Sequence, residues 1–139
     1  MLHIYDISIS QGISAIVWDN ILQEIYDGKI PPEYQPTKAQ KIQWALAIEN
    51  IIKQFNHRKQ LSTEIADIWA KEGIKTYGLK GWVLSTYYPK PELRECGDFD
   101  CYLGDDFERG NEVAILHGVQ FNPHDYRHFH IHYKGLMIE

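Results

Sequence analysis

The residues best equipped for chemistry are Gly97-Asp98-Phe99-Asp100-Cys101-Tyr102-Leu103, where carboxylates alternate with apolar side chains. In a strand, Asp98 and Asp100 project from one face while Phe99, Cys101 and Leu103 project from the other. Two like charges at that spacing repel and push one pKa up, whereas a divalent hard cation with oxygen ligands removes the conflict. A solvent-facing edge strand with two acids accounts for the same pattern, so the dyad alone leaves both readings open. A second constellation lies near the end of the chain: His128, His130 and His132 alternate, with His124 nearby, so a strand presents the three on one face. Such a cluster has the ligand chemistry of a Zn²⁺ site, and the competing reading is partly exposed strand residues.

The elements that must position these groups follow from periodicity and punctuation. Residues 12–27 place Ile13, Ile16, Val17, Ile21, Leu22 and Ile25 at helical spacing, and Gly28 closes the helix. A proline-rich loop leads to Thr37, an N-cap for a helix over 38–56; a third helix follows over 60–72, with one kinked helix over 38–72 as the alternative. Residues 74–79 read as a strand bounded by glycines. Lys80-Gly81 follows at once, and residues 82–88 form a short helix whose first amides point at whatever lies beyond the strand end. The acidic strand comes next, then a helix over 106–117, then a hairpin from two alternating runs around Lys134-Gly135. A two-residue turn there sets His130 across from Glu139 on a shared face, giving His130 a place beside the carboxylates or against substrate; a three-residue turn rotates the histidines away.

Length and composition bound the answer. With 139 residues, 44% of them hydrophobic, the chain suits one domain, a helical lead-in over 1–72 and a core over 73–139. A net charge of −5 without any run of lysine or arginine argues against nucleic acid as a partner. The opening segment carries Asp6 and lacks a basic leader, and no apolar stretch reaches membrane-spanning length, so a soluble cytoplasmic protein is expected. Cys96 and Cys101 read as free thiols of a reducing compartment.

Leu79-Lys80-Gly81, Tyr88-Pro89, Arg94, Gly97-Asp98-Phe99-Asp100 and a terminal strand ending in Glu139 together resemble the uncharacterised nucleotidyltransferase family of the DNA polymerase beta-like nucleotidyltransferase superfamily. The resemblance spans roughly residues 60–139. It implies an α/β (α+β) fold with a small mixed sheet behind an N-terminal helical segment. It also implies transfer of a nucleoside monophosphate from a nucleoside triphosphate, ATP among them, to a hydroxyl of a small molecule or protein. By the resemblance, Asp98, Asp100 and Glu139 bind two Mg²⁺ ions, with Mn²⁺ as a substitute, and Glu139 is also the base. Two metals about 3.5 to 4 Å apart suit an in-line displacement at the α-phosphorus. Lys80-Gly81 stands where the superfamily has Gly-Gly or Gly-Ser, and with the Trp82 amide it lies where the β- and γ-phosphates are expected. Ser85 offers a further hydroxyl, and Arg94 either touches phosphate or braces the acidic loop. Family members normally continue beyond this strand, so the chain reads as a fragment or minimal form in which turnover is weak or lost. Two alternatives stand beside the transferase: a histidine-cluster zinc or interaction module, and a degenerate transferase that binds nucleotide without turnover.

Overall fold

Two tryptophan-centred clusters, joined by one long helix, organise the chain. The computed structural model describes residues 2–121 and 131–139. Helices α1 (Leu2–Ser10) and α2 (Ser14–Tyr26) lead through a 3₁₀ turn at Pro32–Tyr34 into α3 (Lys38–Lys71). Then come strand β1 (Tyr77–Gly78), the one-turn helix α4 (Trp82–Ser85), a 3₁₀ turn at Pro91–Leu93, strand β2 (Cys101–Tyr102) and a third such turn at Gly104–Asp106. Helix α5 (Phe107–Leu116) and strands β3 (Gln120–Phe121), β4 (Ile131–Tyr133) and β5 (Leu136–Ile138) complete the order.

Helix α3 is continuous, so the expected break near Asn56 does not occur. Thr37 opens it with a reciprocal capping box: its hydroxyl accepts from the Gln40 amide while the Gln40 side chain accepts from the Thr37 amide. No proline or glycine interrupts residues 38–71, so the hydrogen-bond ladder has no reason to fail. The apolar stripe loses phase at Asn56-His57 because the helix changes partners. Trp44 packs with α2, where its ring stacks on Trp18 at 4.6 Å between centroids and its indole N–H donates to the Ser14 carbonyl at 3.1 Å. Leu61, Ile65 and Trp69 enter the larger cluster with Phe99, Val113, Ile131, Tyr133 and Ile138.

Helix α1 was not legible in the sequence. Its isoleucines are β-branched and largely exposed at Ile4, Ile7 and Ile9, a poor helical signature. Tyr5 holds it, edge-on to Trp44 at 5.1 Å.

The strands are shorter than the sequence predicts, and the terminal hairpin pairs as expected. β1 runs antiparallel to β2, and β3, β4 and β5 form an antiparallel meander. The two sheets are joined by a parallel bridge between Phe99 and Ile138. The result is a small mixed sheet behind a helical N-terminal part, an α+β arrangement. The β4–β5 turn is the two-residue Lys134-Gly135, both at positive φ (48° and 86°), which matches the strand twist.

Trp69 ties this core together, since its indole N–H donates to the Gly110 carbonyl of α5 at 2.8 Å in a buried setting. Trp69→Phe removes that hydrogen bond and leaves a void beside the carbonyl, which keeps only its helical partner. The expected loss is about 1 to 3 kcal/mol, read by circular dichroism in urea as a lower midpoint at unchanged slope.

Candidate functional site

Register on the sheet brings the acids together. The Phe99 amide donates to the Met137 carbonyl at 2.9 Å, the Glu139 amide to the Phe99 carbonyl at 3.0 Å, and the Cys101 amide to the Glu139 carbonyl at 2.8 Å. This ladder fixes Phe99 beside Ile138, and both point inward, 3% and 2% exposed. Because strand side chains alternate, Asp98, Asp100 and Glu139 must take the opposite face. One carboxylate oxygen from each lies within 4.8 Å of those of the other two. Asp100 is buried, and Asp98 and Glu139 are half-buried. Among the described residues this is the one cluster of acids, histidines and cysteines with metal-binding spacing.

Lys80 supplies the facing cation. β1–β2 pairing continues through the Leu79 amide, which donates to the Asp100 carbonyl at 2.9 Å, and this delivers Lys80 to the acid face. Its Nζ donates to Asp100 Oδ1 at 2.9 Å. That hydrogen bond first, then the Asp100 charge, with Glu139 and Asp98 adding to it, hold the Lys80 ammonium above the usual lysine range. The ammonium therefore stays charged throughout the neutral range. The Cys101 thiol is pushed up to about 12, chiefly by burial and then by Asp100. It stays neutral beside the acids and adds no negative charge to them.

The turn after Lys80 depends on glycine. Gly81 sits at φ 64° and ψ −135°, a region that side-chain-bearing residues rarely enter. A Cβ there would lie 2.6 Å from the Asp98 carbonyl oxygen. The two backbones touch, so the position of Asp98 depends on the missing side chain.

These residues place the chain. It belongs to the uncharacterised nucleotidyltransferase family. The family model matches residues 2–139, so the likeness extends beyond residues 60–139 and takes in all three N-terminal helices. Neither a curated protein nor a solved structure matches the chain.

The remaining residues singled out from the sequence fall into three groups. Ser85 is fully buried and its hydroxyl donates to the Gly81 carbonyl at 3.4 Å. Arg94 Nη1 donates to the same carbonyl at 2.9 Å, with its guanidinium 5.8 Å from the Tyr88 ring centroid. Both contacts brace the glycine turn. Residues 86–88 continue α4 only as successive i→i+3 turn bonds, so the expected helix over 82–88 is a single turn with a small dipole. His130, with His124 and His128, lies outside the described residues. His132 is exposed on β4, directly across from Met137 and so on the sheet face of the carboxylates.

Two supports had no sequence signal. The Arg58 guanidinium of α3 donates to the Cys96 carbonyl, and the Ser14 hydroxyl of α2 donates to Glu95 Oε1 at 3.1 Å. Both anchor the segment leading into Asp98 to the N-terminal helices. Their partners lie far away in sequence, and an arginine or serine on an otherwise ordinary helix does not announce them.

Gly81→Ala is expected to cost roughly 1 to 3 kcal/mol and to displace Asp98, so that divalent-cation affinity falls along with the urea midpoint. An unchanged midpoint and affinity would show the close approach to be unimportant.

Proposed function

We propose that this family member is a divalent-cation-dependent nucleotidyltransferase. It moves a nucleoside monophosphate from a nucleoside triphosphate, ATP among them, to a hydroxyl of a small molecule or a protein, the new bond to the α-phosphorus replacing the one to pyrophosphate, which is released. The observation that carries the reading is the convergence of Asp98, Asp100 and Glu139 within 4.8 Å on one sheet face.

The donor set fits the group it would hold. Three carboxylates supply hard oxygen donors and a surplus of negative charge, which suits Mg²⁺ or Mn²⁺ and does not suit a soft ion. Two such ions are proposed, shared among Asp98, Asp100 and Glu139. When bound, a divalent ion supplies Lewis-acid stabilisation of the charge on the transferring phosphoryl oxygens.

The chain's own groups do the rest. Lys80, already charged and on the acid face, holds an oxygen of the triphosphate as a flexible point charge. Gly81, without a side chain, lets the polyphosphate approach the backbone closely. Ser85 and Arg94 hold the Gly81 carbonyl and so keep the Lys80-Gly81 turn in place; they act through it as positioning residues. Glu139 accepts the proton of the attacking hydroxyl. Holding acceptor and triphosphate in line is the larger part of such catalysis, because little covalent chemistry falls to the protein.

No helix among the described residues is long and apolar enough to cross a membrane. We place the activity in the cytoplasm, in keeping with two cysteines that are both free.

The test is incubation with each labelled nucleoside triphosphate, Mg²⁺ and cell extract. Label transfer is expected to vanish with a chelator and to fall by on the order of a hundredfold to a thousandfold or more in Asp98→Asn and in Asp100→Asn. Transfer that survives both changes contradicts the proposal. Nucleotide binding without any transfer overturns turnover and leaves a nucleotide-binding protein.

A further inference from the structure

Beside the acidic face lies a cleft of about 500 Å³ between α3 and the segment Glu95-Cys96-Gly97. We propose that this cleft is the nucleobase subsite, reading the base edge of the nucleoside triphosphate with the carboxamides of Asn50 and Gln54. The assignment rests on the transferase reading above.

Location comes first. Gly97 lines the cleft and immediately precedes Asp98, about 3.8 Å away between Cα atoms. It carries no side chain, and a Cβ added there would meet nothing within 4 Å, so the cleft wall next to Asp98 in the chain is bare backbone beside open space. Along α3 the lining runs from Asn50 to Arg58, about 12 Å at helical rise. That length and volume suit a nucleoside whose α-phosphate sits at the acids.

Chemistry selects the occupant. Asn50 and Gln54 are four residues apart, so they share a helix face, and both are exposed. A carboxamide presents a donor and an acceptor side by side, the pattern that pairs bidentately with a base edge. Ile51 and the buried Phe55 add apolar lining between them, against which a flat heterocycle can lie.

The charges argue against a phosphate here. The one guanidinium in the lining, Arg58, is engaged with the Cys96 carbonyl, and no lysine lines the cleft. The one carboxylate, Glu95, accepts from the Ser14 hydroxyl and would repel an anion. Those two bonds also tie the wall at Glu95 and Cys96 to α2 and α3. A neutral ring with exocyclic amino or carbonyl groups is the ligand that fits.

The experiment compares triphosphates with and without a base. Calorimetry of the full chain in Mg²⁺ would measure inorganic tripolyphosphate, ATP, GTP, CTP and UTP against wild type, the double variant Asn50→Ala/Gln54→Ala, and Ile51→Trp. Asn50 and Gln54 are exposed helical positions where alanine is well tolerated, and Ile51→Trp fills the cleft instead of emptying it.

The expected result is one nucleotide bound by wild type about tenfold or more tighter than tripolyphosphate. Both variants should lose that preference while keeping tripolyphosphate affinity within about twofold. Variants that retain wild-type nucleotide affinity and preference overturn the subsite. Wild type that binds neither tripolyphosphate nor nucleotide overturns the transferase reading itself, and the subsite with it.

Discussion

Three carboxylates crowded on one sheet face are the constraint on which the rest of this structure depends. With one oxygen of each within 4.8 Å of the others, a pair of unit negative charges at that separation would repel by roughly 1 to 3.5 kcal/mol for effective dielectrics of 80 to 20. Lys80 bonds Asp100 directly and offsets part of this, leaving a net negative face. Nothing in the backbone hydrogen bonding of the strands requires acids there. The fold holds them in place by burying what lies behind them: Phe99 and Ile138 face each other across the parallel bridge, inside a cluster closed by Ile65, Trp69 and Val113. An arrangement that works against itself without a cation, fixed by a well-packed core, is what a pre-organised cation site requires.

The same logic explains why the N-terminal helices belong with the sheet. Asp98 is reached through Glu95 and Cys96, which are tied to Ser14 of α2 and Arg58 of α3. On its other side, Asp98 is pressed by Gly81, whose carbonyl is held by Arg94 and Ser85. The dyad is therefore clamped between a glycine turn and a helical scaffold. A family match that runs from residue 2 to residue 139 agrees with that dependence.

Much of this was legible in the sequence, for identifiable reasons. Alternation of Asp98, Phe99 and Asp100 fixes which residues face outward, and the Lys134-Gly135 turn fixes the hairpin register, since both are local and periodic. Two helices or one over residues 38–72 stayed open in the sequence because the apolar stripe serves two different clusters, and periodicity records only one face at a time. Helix α1 stayed hidden because tertiary packing, with Tyr5 edge-on to Trp44, outweighs its weak propensity. The strands came out shorter than predicted because DFDCYL pairs on each side over only a few residues before glycine turns it away. The roles of Ser85 and Arg94 were ambiguous in sequence, since a hydroxyl or guanidinium near a glycine turn serves equally to touch ligand or to hold backbone. Their bonds to the Gly81 carbonyl show them holding backbone.

The central claim is that Asp98, Asp100 and Glu139 form one divalent-cation site, and Mn²⁺ binding followed by electron paramagnetic resonance tests it most directly. Wild type should bind Mn²⁺ with displacement by Mg²⁺, and Asp98→Asn, Asp100→Asn and Glu139→Gln should each weaken binding about tenfold or more, with the urea midpoint intact or raised in Asp98→Asn, which removes a repelling charge without touching the Lys80–Asp100 ion pair. Mn²⁺ affinity unchanged in all three variants would contradict it.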